Sequence, residues 1–409
     1  MIPDTRFSVD HFTFSEKGGA GEVAKLLCSY QLQHQIQSRL HTVARAGALS
    51  IARQHPKIFF DSLRDFYEVR NDYKNPLFSL FRESPGAKEQ GGEQIADILH
   101  LHWTPGSISF DEMDQLPHNL PIVWTLHDMW PFTGGCHHSV DCYEFETLCA
   151  SCPQVKKRYQ SSVSQALLKK KAVFHKLNNL VLVCPSNWIA NLATRSTALK
   201  NCELQVIRNP ISDEFFNTYD KRFWRNQLTI DEDALVIACV ASNLADSQKG
   251  VEQLLGVVSE LTNTYANANI TVLIIGGGRH IKKFNNIRIL QPGFITDKAS
   301  LAGYMSTADL FVSLSKFENA PLVLAESLSL GVPIAANDVG GCREFVNNEN
   351  NGWLLQNSND LYQLIASLVE NPESRSSKSA AAKRFATENF SPTATSEKYV
   401  SLYESMLAK

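Results

Sequence analysis

Two glutamates bracket the segment Asn-Ala-Pro-Leu-Val-Leu-Ala, giving Glu318 and Glu326 with seven residues between them. An apolar strand-like run, Asp309–Leu314, precedes them, and Pro321 stands where a first-turn proline opens a helix. Glu318 is therefore expected in the loop above a strand end, and Glu326 roughly two helical turns further on. The first-turn amides between them would point at whatever lies above the sheet. Carboxylates on each side of a helix N-terminus suit a ligand with hydroxyls and phosphates. By spacing alone, a pair of solvated glutamates is the other reading.

Three further features could face such a ligand. Lys249-Gly250 opens the helix after the apolar run Leu235–Ala241, and His127-Asp128 ends the strand-like run Pro121–Leu126. A surface lysine and a satisfied polar histidine are the plain alternatives. Gly18-Gly19-Ala20-Gly21 lies before the helical stretch Glu22–Tyr30, where absent side chains let backbone N–H groups approach an anion; a tight turn without ligand explains it equally well. Gly276-Gly277-Gly278 is followed by Arg279, His280 and Ile281, so G-x-G-x-x-G spacing fails. It reads as a wide turn, which argues against hydride transfer on a dinucleotide.

Four of the nine cysteines cluster: Cys136, Cys142, Cys149 and Cys152, the last two a C-x2-C pair before Pro153. Four thiolates in a reducing compartment suit a tetrahedral structural Zn²⁺, with free thiols or a disulfide as the alternatives. The other five lie singly in apolar or mixed surroundings and read as small buried hydrophobes. Just beyond the cluster, Lys156, Lys157, Arg158, Lys169, Lys170, Lys171 and Lys176 occur without an intervening acidic residue. They form either a solvated helix face or a patch for anionic lipid headgroups.

The elements that must carry these groups alternate. In the second half, Leu235–Ala241, Thr271–Ile275, Ile287–Leu290, Asp309–Leu314, Val332–Ala336 and Gly352–Leu355 read as strands. Lys249–Leu261, Leu301–Ala308, Pro321–Leu330 and Leu361–Val369 read as helices between them. Apolar strands without polar alternation, separated by helices, indicate a parallel sheet covered on both faces, with ligands at the carboxyl ends of its strands. The first half repeats the theme with Ile95–Trp103, which contains LHLHW, then Pro121–Leu126, Val181–Pro185 and Leu204–Ile207. Asn209-Pro210 and the polar stretch Asn217–Asn226 read as the linker. Two Rossmann-like α/β domains are expected, residues 1–208 and 209–409, with a cleft between them and with the last helix returning to the first domain. The Cys-rich segment, about residues 130–155, falls in the first.

Composition limits the rest. With 409 residues, 44% hydrophobic and 20% charged, the chain has material for two cores. A net charge of −3 gives no global drive toward nucleic acid. The absence of an apolar run of bilayer length and of a basic leader predicts a cytoplasmic protein, with peripheral contact at the inner face of the membrane through Lys156–Lys176. An odd number of cysteines without an export signal predicts reduced thiols.

Taken together, the E-x7-E pattern in SLSKFENAPLVLAESLSLGVPIAANDVGG, the early glycine loop, TLHD and the KG step resemble the retaining glycosyltransferases of family 4, which have the GT-B fold. The resemblance spans roughly Phe12 to Leu402. It implies transfer of a sugar from a nucleotide-sugar donor to a glycan or lipid-diphosphate-linked acceptor, with no metal or other cofactor in catalysis. It implies that Glu326 accepts from the ribose hydroxyls and Glu318 orients the donor sugar. Lys249 would neutralise the departing diphosphate, Gly18 and Gly19 would approach phosphate or acceptor, and His127 would contact the sugar near the reacting carbon. Gly293 and Phe294 would face the base, while Asn319, Ala320, Pro321, Leu322 and Val323 would meet sugar or phosphate. HDMWPFTGGC with its following cysteines looks like an insertion in a subgroup that makes capsular or secreted polysaccharides.

One departure bears on activity. Many family members carry an arginine before the lysine, and Asn243–Gln248 has none. Either Lys249 works with the helix dipole alone, or a basic residue elsewhere, such as Arg279 or Lys316, reaches the diphosphate. Other activities considered are a non-catalytic nucleotide-sugar-binding subunit, an epimerase and a phosphorylase.

Overall fold

The computed structural model describes residues 6–43, 60, 77–80, 96–278, 284, 286–347 and 350–409. The chain divides into two compact units. Met1–Pro210 together with Thr395–Lys409 forms one, and Ile211–Ala394 the other. The division falls after Pro210, not after Arg208, and most of the last helix, Pro392–Leu407, counts with the first unit.

The first unit holds a parallel sheet of β1 (Ser8–Thr13), β2 (Gln37–Thr42), β3 (Ile98–Leu101), β4 (Ile122–Thr125), β5 (Leu180–Cys184) and β6 (Glu203–Val206). Their order is β2-β1-β3-β4-β5-β6. The helix Gly19–Gln33 connects β1 to β2, and Asn187–Arg195 connects β5 to β6. The last helix buries Tyr399 and Tyr403 completely. Tyr399 Oη lies 3.2 Å from Thr125 Oγ1, and Tyr403 Oη lies 2.7 Å from His100 Nδ1.

The second unit holds β7 (Leu235–Asn243), β8 (Ile270–Gly277), β9 (Arg288–Gly293), β10 (Leu310–Ser313), β11 (Ile334–Asn337) and β12 (Gly352–Leu355) in the order β12-β11-β10-β7-β8-β9. All pairings are parallel. The run Leu235–Ala241 needs no polar alternation because both faces are covered. Leu235, Ile237 and Cys239 join one apolar cluster and Val236 and Ala238 the other.

Four expectations need correction. Gly276 and Gly277 belong to β8 instead of forming a wide turn, since a Cβ on Gly276 would come 2.0 Å from the Ala241 carbonyl and glycine lets the strands close. Pro321 is the cap before the helix Leu322–Ser329, with extended backbone, and not its first residue. Lys249 likewise precedes its helix, which starts at Val251 after left-handed Gly250. The polar stretch Asn217–Asn226 is not a bare linker. It contains most of the helix Lys221–Gln227, whose buried Arg225 bonds Asp309 at 2.9 Å and the carbonyls of Thr307, Glu232 and Ala234. Charge inside this helix is satisfied by the sheet end, which local composition does not reveal.

Candidate functional site

Strand order reverses in the second unit between β7 and β10, which are neighbours in the sheet although β8 and β9 lie between them in sequence. The loops leaving such a pair diverge to opposite faces and open a crevice at the strand ends. Lys249 follows β7 and Glu318 follows β10, and Lys249 Nζ stands 2.7 Å from Glu318 Oε1. Burial works against the ammonium, but the Glu318 carboxylate outweighs it and lifts the lysine pKa above its ordinary value. Both loops are pinned. A Cβ on Gly250, which has φ +70°, would lie 2.2 Å from the Leu314 carbonyl, and one on Gly340, with φ +55°, 1.8 Å from the Glu318 carbonyl. Gly341 N–H donates to that same carbonyl at 3.0 Å.

Glu326 lies in the helix Leu322–Ser329 and is buried, with Lys298 Nζ 3.9 Å from its Oε1. Asn319 and Pro321 are buried, and Ala320, Leu322 and Val323 half-buried. The amides of Leu322 and Val323 open the helix and have no acceptor upstream within it. Gly293 ends β9 with φ +88°, and the Phe294 ring beside it is 61% exposed. Lys316 is exposed at the loop after β10, its N–H donating to Gln248 O at 2.9 Å. Arg279 lies outside the described residues.

In the first unit, order reverses between β1 and β3. Gly18 caps the helix Gly19–Gln33 with φ +85° and no side-chain cap, and a Cβ on Gly21 would lie 2.2 Å from the Ser15 carbonyl. His127 follows β4 and closes a hydrogen-bonded series of rings. Gln31 Oε1 lies 2.9 Å from His11 Nε2, His11 Nδ1 lies 3.0 Å from His102 Nε2, and His102 Nδ1 lies 3.1 Å from His127 Nε2. An amide oxygen only accepts, so the proton order along the series is set: each neutral ring donates through Nε2 and accepts at Nδ1. Burial holds the rings neutral, bringing His11 and His127 down to about 4 and His102 well below its usual value. His127 thus carries its proton on Nε2. Asp128, next to it, is pulled to about 2, where His137 at 2.6 Å and the Trp130 N–H outweigh the cost of burial.

Residues 220–385 match the family model described as "Glycosyl transferases group 1". This span lies inside the second unit and contains Lys249, Glu318 and Glu326. The second unit belongs to the group 1 glycosyl transferases. Across the longer chain, similarity runs to the "Putative colanic acid biosynthesis glycosyl transferase WcaC" of Escherichia coli (strain K12), 23% identical over 87% of this chain and 81% of that one. It also runs to the N-acetyl-alpha-D-glucosaminyl L-malate synthase of Bacillus anthracis, 22% identical over 95% and 93%. Among solved structures, Anabaena HepE in complex with UDP-glucose superposes with a TM-score of 0.61 at 15% identity, covering 98% of this chain and all of that one. The two six-stranded parallel units are those of the GT-B glycosyltransferases.

The second unit therefore brings together Lys249 and Glu318, which sequence spacing left apart, and sets Glu326 in the helix that follows the Glu318 loop. Lys298 was not anticipated. It opens the helix Lys298–Met305, and nothing in its local sequence ties it to Glu326. The histidine series was also missed. Its signal is LHLHW, where alternation puts His100 and His102 on one face of β3, with His11 paired in register to His100.

The cysteines all carry free thiols. Cys136, Cys142, Cys149 and Cys152 line one small void with Phe78, Gly134 and Phe145. Burial pushes Cys149 up to about 12 and Cys152 to about 11. Among the described residues, His11, His100 and His102 form the group of three whose ligand atoms lie within 4.8 Å of one another. The nitrogens of His11 and His100 are already engaged with Gln31, His102, Tyr403 and Thr125, so this trio reads as a hydrogen-bonded core, not a metal centre. The basic stretch is not a uniform free face: Lys169 pairs with Asp111 and Lys176 with Asp114, each at 2.5 Å, while Lys170 is buried. Among the described residues no helix is long and apolar enough to cross a membrane.

Proposed function

We propose that this glycosyltransferase moves a sugar from a nucleoside-diphosphate sugar to a glycan or lipid-diphosphate-linked acceptor, with retention of configuration, in the making of a cell-surface polysaccharide. The observation that carries the reading is the Lys249–Glu318 pair at the strand-order reversal, beside the N-terminus of the helix Leu322–Ser329. As the bond from the anomeric carbon to the diphosphate oxygen breaks, negative charge grows on the leaving group and positive charge on the sugar. An ammonium and helix-end amides already in place stabilise the first without reorganisation. The acceptor oxygen bonds to the anomeric carbon on the departing face, and its proton passes to a leaving-phosphate oxygen. Glu326 is assigned to the ribose hydroxyls, with Lys298 holding its charge, and the exposed Phe294 ring to the base. UDP-glucose in the Anabaena structure supports a nucleoside diphosphate as the donor class. The first unit, with Gly18, Gly19 and His127, is assigned the acceptor side.

Contact with anionic membrane is proposed for the exposed Lys156, Lys157 and Arg158. Screening nucleotide sugars by thermal shift selects the donor. Release of nucleoside diphosphate is then measured with and without a membrane glycan extract. Acceptor-dependent release that Glu318→Ala abolishes supports transfer. Donor binding without turnover under any acceptor would instead make the chain a binding subunit, and the transfer reading would be wrong.

A further inference from the structure

We propose that Cys136, Cys142, Cys149 and Cys152 bind one structural Zn²⁺ that closes the Cys-rich segment of the first unit. The four thiols, spread over a segment whose described regular structure is a single 3-10 turn, Glu144–Glu146, converge on one void. This convergence is independent of the transfer reaction and of the residues assigned to it.

The backbone closes tightly at the cluster: a Cβ on Gly134 would lie 2.3 Å from Val163 Cγ1 and 3.1 Å from Cys149 Cβ. The backbone turns through left-handed conformations at Val140, φ +54°, and Cys149 itself, φ +51°. Strained non-glycine positions of this kind persist where the surroundings over-determine them.

Four thiols binding Zn²⁺ release four protons to solvent and leave a centre of net charge −2. No three of the sulfurs yet lie within 4.8 Å of one another. Ligation at about 2.3 Å draws them to about 3.8 Å apart, closing the void.

The test is metal content of the full chain purified without chelator. Elemental analysis should find about one zinc per chain. Added Co²⁺ in place of zinc should give the sulfur-to-metal charge-transfer band and the red ligand-field bands of a tetrahedral thiolate site. Cys149→Ala with Cys152→Ala should lower zinc at least about tenfold, whereas Cys202→Ala should keep it. Should that double variant fail to fold, the wild-type zinc content and cobalt spectrum decide alone. Zinc below about one per ten chains with no cobalt spectrum, disulfides among the four cysteines, or zinc retained in a folded double variant would each overturn the assignment.

Discussion

Lys249 Nζ and Glu318 Oε1 stand 2.7 Å apart although 69 residues separate them in the chain. The contact exists because β7 and β10 are neighbours at the point where strand order reverses. It holds the ammonium in place without any ligand, so in the proposed transfer the charge that would meet a diphosphate is already oriented.

Lys249→Ala should lower turnover by about 10²–10³-fold, the cost of losing one preorganised group that stabilises transition-state charge. Lys249→Arg should recover part of it, being cationic but differently shaped. Nucleoside diphosphate release at saturating donor measures both, and unchanged turnover in Lys249→Ala would remove the lysine from the mechanism.

Glu326→Gln should act on donor affinity more than on the chemical step. A hydrogen bond to a charged group is worth about 1.5–3 kcal/mol, so KM for the donor should rise about 10–100-fold with a smaller change in kcat. Thermal-shift titration with nucleoside diphosphate alone gives an independent reading. Equal loss in kcat and kcat/KM would place Glu326 at the reacting centre instead.

Gly340→Ala tests whether the Glu318 loop is held by its backbone. The added methyl would meet the Glu318 carbonyl at 1.8 Å and occupy φ +55°. A loss of about 1–3 kcal/mol in unfolding free energy is expected, with turnover reduced more than Tm predicts because Glu318 shifts. A stable, fully active variant would show that the loop adapts.

Stability should fall as the solution is acidified from pH 6.5 to 4. His11 and His127 have folded pKa values of about 4, below the unfolded 6.5, because burial disfavours their charged forms. Within that window the unfolded chain binds more protons, each ring costing on the order of 3 kcal/mol by its lower end. Asp128 adds a second loss between about 3.8 and 2, as its carboxylate is protonated and the contact with His137 weakens. Urea unfolding at a series of pH values measures the slope; a flat profile from pH 7 to 4.5 would refute the neutral histidine series.

Much of this was legible before the structure. The continuous apolar runs of the second half could only be strands covered on both faces, and the helices between them only parallel crossovers, so two Rossmann-like sheets follow from periodicity and length. The glutamate pair, the KG step and TLHD were visible as types at strand ends. Less was legible where charge is satisfied at a distance. The helix around Arg225 reads as linker because its partner Asp309 is remote in sequence, and the basic stretch reads as one face because Asp111, Asp114 and the Trp130 carbonyl lie elsewhere.

The amino-acid order alone thus determined most of the strands and helices of the second half, since hydrophobic period and turn chemistry act within a few residues. Tertiary structure decided which side chains meet: Lys249 with Glu318, Lys298 with Glu326, and Gln31 with the two rings, His11 and His102, that orient His127. Those contacts depend on strand order and on which loops leave neighbouring strands, and strand order is settled by packing energy summed over a whole sheet, which no local stretch of residues contains.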